Sequence, residues 1–206
     1  MINIRHFDMK KYSYTSKETG MCMDPRHIDM LFNILVNNDF KNVLEIGSFH
    51  GVSTTAFVEA LLLKPNLSVS ICDIKISQQV KTLLDSCQNK DRIRVHNTYS
   101  KNIINGSYDL IFVDGDHALA TVKEEVDLLL KYNVETVLAH DTNAQIAGYD
   151  LCDGSHYLGV TLKSKYDWCE DIKDRPNELT KRGFFACSKN REVFDSIRQV
   201  VESLGR

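Results

Sequence analysis

The feature that most constrains this chain is an alternation of short, uninterrupted apolar runs with longer stretches whose apolar residues recur every three or four positions. Asn42-Val43-Leu44-Glu45-Ile46 stops at Gly47, Leu67 to Cys72 closes on Asp73, and a shorter run covers Ile93 to His96. Leu110-Ile111-Phe112-Val113 then ends in Asp114, and Thr136-Val137-Leu138-Ala139 leads into His140-Asp141. Between these runs the spacing predicts helices. One covers about 25–38, opened by Asp24-Pro25 and carrying Ile28, Leu31, Phe32 and Leu35. A second follows Gly51 with Ala56, Phe57, Ala60 and Leu61, a third covers about 78–89, and a fourth presents Val122, Val126, Leu129 and Leu130. Strands apolar on both faces, alternating with helices, require a Rossmann-like, doubly wound α/β architecture. Its sheet is mostly parallel, its crossovers are right-handed, and ligands bind at the C-terminal edge of the strands.

At 206 residues the chain is long enough for one full core and short for two, so a single domain over 1–206 is expected. Within it, 1–38 forms an N-terminal helical extension. After Asp141 the pattern loosens, and 142–182 reads as a variable substrate-side region before Gly183 to Cys187 resumes as a strand and 191–204 as a helix. A net charge of −3 and the lack of any long Lys/Arg run exclude a basic field for phosphate backbones, which points away from nucleic acid and toward a small-molecule substrate. No run approaches the roughly 18–20 apolar residues of a membrane span, and Met1 to Lys11 is polar. A cytoplasmic protein without membrane partners is expected, with a homodimer as the one macromolecular association allowed for. The six cysteines form no C-x-x-C pair, which speaks against a zinc knuckle and for reduced thiols. Asn66-Leu67-Ser68 and Asn105-Gly106-Ser107 read as turns.

Chemistry concentrates at the strand ends. In Glu45-x-Gly47-x-x-x-Gly51 the glycines let the backbone turn tightly and approach a ligand, and the helix beyond offers free N–H groups to a carboxylate, with the Ser53 hydroxyl close by. Glu45, an acid closing an apolar strand, needs a partner, and the ammonium group of a ligand would serve. On glycines alone, a purely structural turn is an equal reading. Asp73 closes the second strand where nucleotide-binding sheets grip a ribose diol, which favours an adenosyl ligand. Asp114-Gly115-Asp116-His117 and His140-Asp141 set carboxylates and imidazoles at two further edges, a set able to hold a divalent cation: Mg²⁺ if mostly oxygen, Mn²⁺ or Fe²⁺ if both imidazoles join. The plainer alternative makes Asp116 a helix cap and His140 a partner of buried backbone.

VLEIGSFHGVSTTAF, ICDI, YDLIFVDGDH and LAHDTN, in this order and spacing, resemble class I S-adenosylmethionine (SAM)-dependent methyltransferases, in particular the small-molecule O-methyltransferases of the catechol and macrocin types. The resemblance covers about 20–143 and 182–204. It implies a seven-stranded sheet with an antiparallel strand near the C-terminus. Gly47, Ser48 and Gly51 would surround the methionine moiety, with Glu45 at the loop base, Ser53 on the carboxylate and Asp73 on the ribose. Asp114 stands in both the cofactor set and the metal set, the latter completed by His140 and Asp141 around Mg²⁺ or another divalent cation. His117 falls where the catechol type has its basic lysine and is the candidate general base. Two departures stand out: Thr142 occupies the place of the Asn that follows the second metal aspartate, with Asn143 one residue late, and His140 stands where the macrocin type has an acid. His96 to Ser100 should help to bind adenine.

These residues predict metal-assisted O-methylation of a small hydroxylated metabolite, with His156, Tyr157 and Trp168 as a lid over the substrate. Three rivals remain at this level. A dinucleotide dehydrogenase is disfavoured because Gly-x-Gly-x-x-Gly is missing after the first strand. A non-haem iron hydroxylase would use His117, His140 and Asp114. A non-catalytic SAM-binding protein would leave His117 and the acid pair without a task.

Overall fold

The computed structural model describes residues 2–12, 23–143, 153–172 and 182–205. Cys22 and Cys152 therefore lie outside the described residues. Seven strands form one sheet: β1 (Asn42–Ile46), β2 (Ser68–Asp73), β3 (Ile93–Asn97), β4 (Leu110–Val113), β5 (Thr136–His140), β6 (Trp168–Ile172) and β7 (Phe184–Ser188), in the order β3-β2-β1-β4-β5-β7-β6. The first five pair in parallel, and β7 alone is reversed, antiparallel to both β5 and β6. Chain order reverses between β1 and β4, so the loops after these two strands diverge to opposite faces and leave a crevice at their C-terminal edge.

Alternate residues of each strand feed opposite faces, as a period of two demands. Val43, Leu110 and Phe112 join a cluster with helices α1 (Pro25–Asn37), α2 (Val52–Leu63) and, near the C-terminus, α6 (Arg191–Ser203). Leu44, Ile111 and Val113 join the opposite cluster with α4 (Leu119–Lys131) and α5 (Asp153–Lys163). The remaining helix, α3 (Gln78–Asp85), stops four residues short of the expected 89. Ser86 turns its hydroxyl back onto the Leu83 carbonyl there, and only Val80 and Leu83 of the helix are buried, so little packing extends it.

Two parts of the chain depart from expectation. Among the described residues, the extension before α1 is helical only in a short turn, Met9–Tyr12; residues 2–8 run along α1 without regular structure of their own. Asp29, Asn33 and Asn37, one helical turn apart, present side-chain oxygens to the N–H groups of Phe7, Arg5 and Asn3 at 2.8, 2.8 and 3.1 Å. Four helical residues rise about 6 Å and two extended residues about 6.6 Å, so the two repeats stay nearly in step. The region 142–182 is not a plain loop either, since it contains α5 and the edge strand β6.

Arg92, just ahead of β3, closes the C-terminal end of α2: its guanidinium donates to the carbonyls of Leu61, Lys64, Pro65 and Leu67 at 2.6–3.1 Å. Leu61 and Lys64 supply carbonyls of the helix end and its C-cap, met here by a cation where the helix dipole is negative, and Pro65 and Leu67 supply those of the turn that follows. Arg92→Ala should therefore destabilise the protein by about 1.5–3 kcal/mol, the range for charge-assisted hydrogen bonds, measured by urea denaturation.

Candidate active site

The crevice at the β1/β4 switch holds a cavity of about 520 Å³. Its floor is the turn from β1 into α2. Gly47 has φ +85°, and a Cβ there would fall 2.1 Å from the Asp114 carbonyl oxygen, so only glycine lets the turn pass the end of β4. Gly51, at φ +88°, enters α2 without any side-chain cap, so the first-turn N–H groups near Val52 and Ser53 face a cavity that both residues line.

Asp73 ties the loop down. One carboxylate oxygen accepts from the Ser48 N–H at 2.8 Å, the Ser48 hydroxyl at 3.1 Å and the Phe49 N–H at 3.1 Å, while the other accepts from the Lys75 N–H at 2.9 Å. Asp73 also lines the cavity, as do Gly47, Ser48, Ser53 and Asp114. Glu45 takes a different place. It is fully buried at the loop base and is not part of the cavity wall; its two oxygens lie 2.6 and 2.9 Å from the hydroxyls of Ser53 and Thr54. These hydroxyls meet the need for a partner that the sequence raised, and burial among them pushes the carboxyl up to about 8.

Thr98, Tyr99 and Ser100 line the same cavity beyond Asp73. Behind them stands Glu125 of α4, which nothing in the sequence distinguished from a surface acid. It is 1% exposed, accepts from the Ser100 hydroxyl at 2.6 Å, and is raised by burial to about 7.

At the other end, β4 and β5 deliver Asp114, His140 and Asp141, whose ligand atoms lie within 4.8 Å of one another. His140 Nδ1 is 3.3 Å from Asp114 Oδ1 and 3.4 Å from Asp141 Oδ1. Burial raises both carboxyls, Asp114 to about 7 and Asp141 to about 6, and lowers His140. Asp141 Oδ1 is buried with no hydrogen-bond donor. A half-buried and a buried carboxyl converging with a buried imidazole, one oxygen left undonated, fit a divalent cation, which would supply the missing positive charge. Asp116 does not cap α4, whose N-cap Ala118 has no side-chain cap; it accepts from the Ala118 N–H at 3.0 Å and the Thr121 hydroxyl at 2.7 Å.

His117 lies on the rim of this cluster, one ring nitrogen 2.7 Å from the Ser155 hydroxyl and Nε2 3.5 Å from Asp141 Oδ2. It stands outside the convergent set, so the iron centre of His117, His140 and Asp114 is not the one assembled. Two residues absent from the sequence reading complete the surroundings. Arg182 places a guanidinium nitrogen 3.4 Å from Asp141 Oδ2, because β7 runs antiparallel to β5 and its start meets the end of β5. His27 of α1 sets Nδ1 3.1 Å from His140 Nε2. The expected lid is not assembled as described: Trp168 opens β6 at the far sheet edge against Phe194 and Arg191, Tyr157 lies under Lys123, His156 faces the Thr142 carbonyl, and none of the three lines the cavity.

Glu45 provides a pH test. The folded chain keeps this proton up to about pH 8, whereas the unfolded chain releases it near 4.5. The contribution is thus complete below about 4.5 and lost as pH rises toward 8. Glu45→Gln has no such proton, so its stability relative to the native chain should improve by on the order of a few kcal/mol from pH 5 to pH 8, measured by chemical denaturation.

Residues 44–142 match the model of a family described as a methyltransferase domain. Among solved structures, the chain is similar to the O-methyltransferase TomG of Streptomyces achromogenes, involved in tomaymycin synthesis and solved with SAM. The TM-score is 0.69 at 15% identity, over 91% of this chain and 92% of that one. An O-methyltransferase of Bacillus cereus in complex with SAH gives 0.62 at 16% identity, over 81% and 82%. The SAH-bound methyltransferase of Podospora anserina gives 0.62 at 14%, over 86% and 84%. No curated protein matches the sequence. The matched span runs from β1 through the loop, Asp73, Asp114 and β5 to Thr142, and the fold built around it is the one these solved structures share.

Proposed function

We propose that this chain transfers the SAM methyl group to a hydroxyl oxygen of a small molecule, with a divalent cation at Asp114, His140 and Asp141. The observation that carries the reading is a single cavity bounded by the glycine loop and Asp73 at one end and by Asp114, Asp141 and His117 at the other. Bound SAM supplies an electrophilic methyl on sulfur, and a bound cation lowers the pKa of a hydroxyl it touches. The chain's own residues do the rest. The N–H groups of the α2 N-terminus, that of Ser53 among them, receive the methionine carboxylate, and Asp73 Oδ1, which accepts from the Lys75 N–H, offers its remaining lone pair to the ribose hydroxyls. His117 takes the acceptor proton at Nε2, the nitrogen directed at Asp141, while Ser155 holds its other nitrogen. Confinement of both reactants in one crevice supplies the alignment that an in-line displacement needs. TomG and the Bacillus cereus enzyme, both O-methyltransferases by name, support oxygen as the acceptor. No helix among the described residues is long and apolar enough to cross a membrane, which agrees with a small-molecule enzyme working in the cytoplasm.

The reading is tested with tritiated SAM and a panel of hydroxylated compounds, with Mg²⁺ or Mn²⁺ and with chelator. Transfer that chelator abolishes is expected, and no transfer to any hydroxyl compound in the presence of either cation would refute it. His117→Ala should lower kcat by about 10²–10⁴-fold and leave the calorimetric Kd for SAM within about twofold. Asp73→Ala should weaken SAM binding by at least about tenfold, since it removes both the loop anchor and the ribose acceptor.

A further inference from the structure

His27 has no part in the reading above, yet it is the buried side chain nearest the imidazole of the metal set. It sits in the first turn of α1, fully buried, beside Ile28, Met30 and Leu31, which are buried as completely. Its ring crosses that of His140 edge-on with centroids 5.2 Å apart, and its Nδ1 is 3.1 Å from His140 Nε2. Behind it, the Asp24 carboxylate lies 3.8 Å from the same Nδ1, too far for a hydrogen bond.

A neutral imidazole has one N–H and one lone pair, so a partner at one nitrogen decides what the other can do. His140 turns Nδ1 toward Asp114 and Asp141, and Nε2 toward His27. To give a cation its Nδ1 lone pair, His140 must carry its proton on Nε2, and the acceptor within reach of that proton is His27 Nδ1. In the opposite tautomer His140 Nδ1–H points at the carboxylates and has no lone pair to offer, while His27 donates to Nε2. The two rings therefore change tautomer together.

We propose that His27 is a positioning residue which, by accepting the Nε2 proton of His140, presents His140 Nδ1 as a ligand to a divalent cation held with Asp114 and Asp141. This rests on the metal site proposed above and adds the residue that prepares it. A hydrogen-bonded partner behind a ligating imidazole orients the ring and raises its basicity, and its loss typically weakens metal binding 10–100-fold. An imidazole ligand beside two carboxylates also favours Mn²⁺ over Mg²⁺.

The test measures Mn²⁺ binding to the full-length chain by electron paramagnetic resonance, with calorimetric SAM binding as a control for folding. Wild type should bind Mn²⁺. His27→Phe, close in shape but unable to accept a proton, should weaken binding about 10–100-fold with SAM affinity unchanged, and His27→Asn, whose amide oxygen can accept the Nε2 proton, should recover most of the loss. Nitrogen NMR of wild type loaded with diamagnetic Zn²⁺ should find the His140 proton on Nε2, a readout that needs no variant to fold. Wild-type Mn²⁺ affinity in His27→Phe would overturn the role of His27 alone, whereas a His140 proton on Nδ1 in the loaded protein would remove His140 from the ligand set and this proposal with it. Failure of wild type to bind Mn²⁺ would overturn the metal site and this proposal together.

Discussion

The rest of the structure depends on the close approach of the β1–α2 turn to the end of β4. Gly47 presses on the Asp114 carbonyl so tightly that no side chain fits between them, and the Asp114 N–H in turn donates to the Ile46 carbonyl at 2.8 Å. This packing holds the glycine loop and Asp114 at a fixed separation. Asp73 closes the arrangement from the other side by taking the two N–H groups and the hydroxyl that the turn leaves over. A cofactor pocket and an acid cluster become one cavity because both are built on the same contact.

Around that contact the protein buries an unusual amount of acid. Glu45, Asp114, Glu125 and Asp141 are all raised, with burial as the first cause in each case. Their surroundings differ, and so do their roles. Glu45 and Glu125 have hydroxyl partners and sit behind the glycine loop and behind Ser100, where a neutral carboxyl can stay hydrogen-bonded without a counter-ion. Among the described residues, Asp114 and Asp141 have His140, His117, Arg182 and His27 near them, and they open on the cavity, an arrangement that favours a bound cation.

Much of this was legible in the residues. β1 and β4 have the expected bounds, and Gly47, Asp73, Asp114 and Asp141 all lie at strand ends facing one crevice, because buried parallel strands are written as continuous apolar runs and their ends as polar breaks. The stretch 142–182 was harder. α5 has Gly154 and Gly159 among its buried residues, the first where a Cβ would fall 2.6 Å from the His117 carbonyl, so its glycines look like loop and act as packing surface. β6 is an edge strand that is mostly half-exposed, with Glu170 and Asp171 in it, and carries no alternation strong enough to be seen.

By itself, then, the sequence determined the strand–helix order, the glycine turn and the acids at the strand ends, since these follow from local periodicity and from what a backbone can do without a Cβ. Tertiary structure alone decided which partners those acids meet. Glu45 turned to Ser53 and Thr54 rather than to the cavity, while Arg182 reached Asp141 because β7 reverses, and His27 reached His140 because α1 packs over the end of β5. Local pattern has no term for such meetings, as they join residues 41 and 113 positions apart through the packing of whole elements.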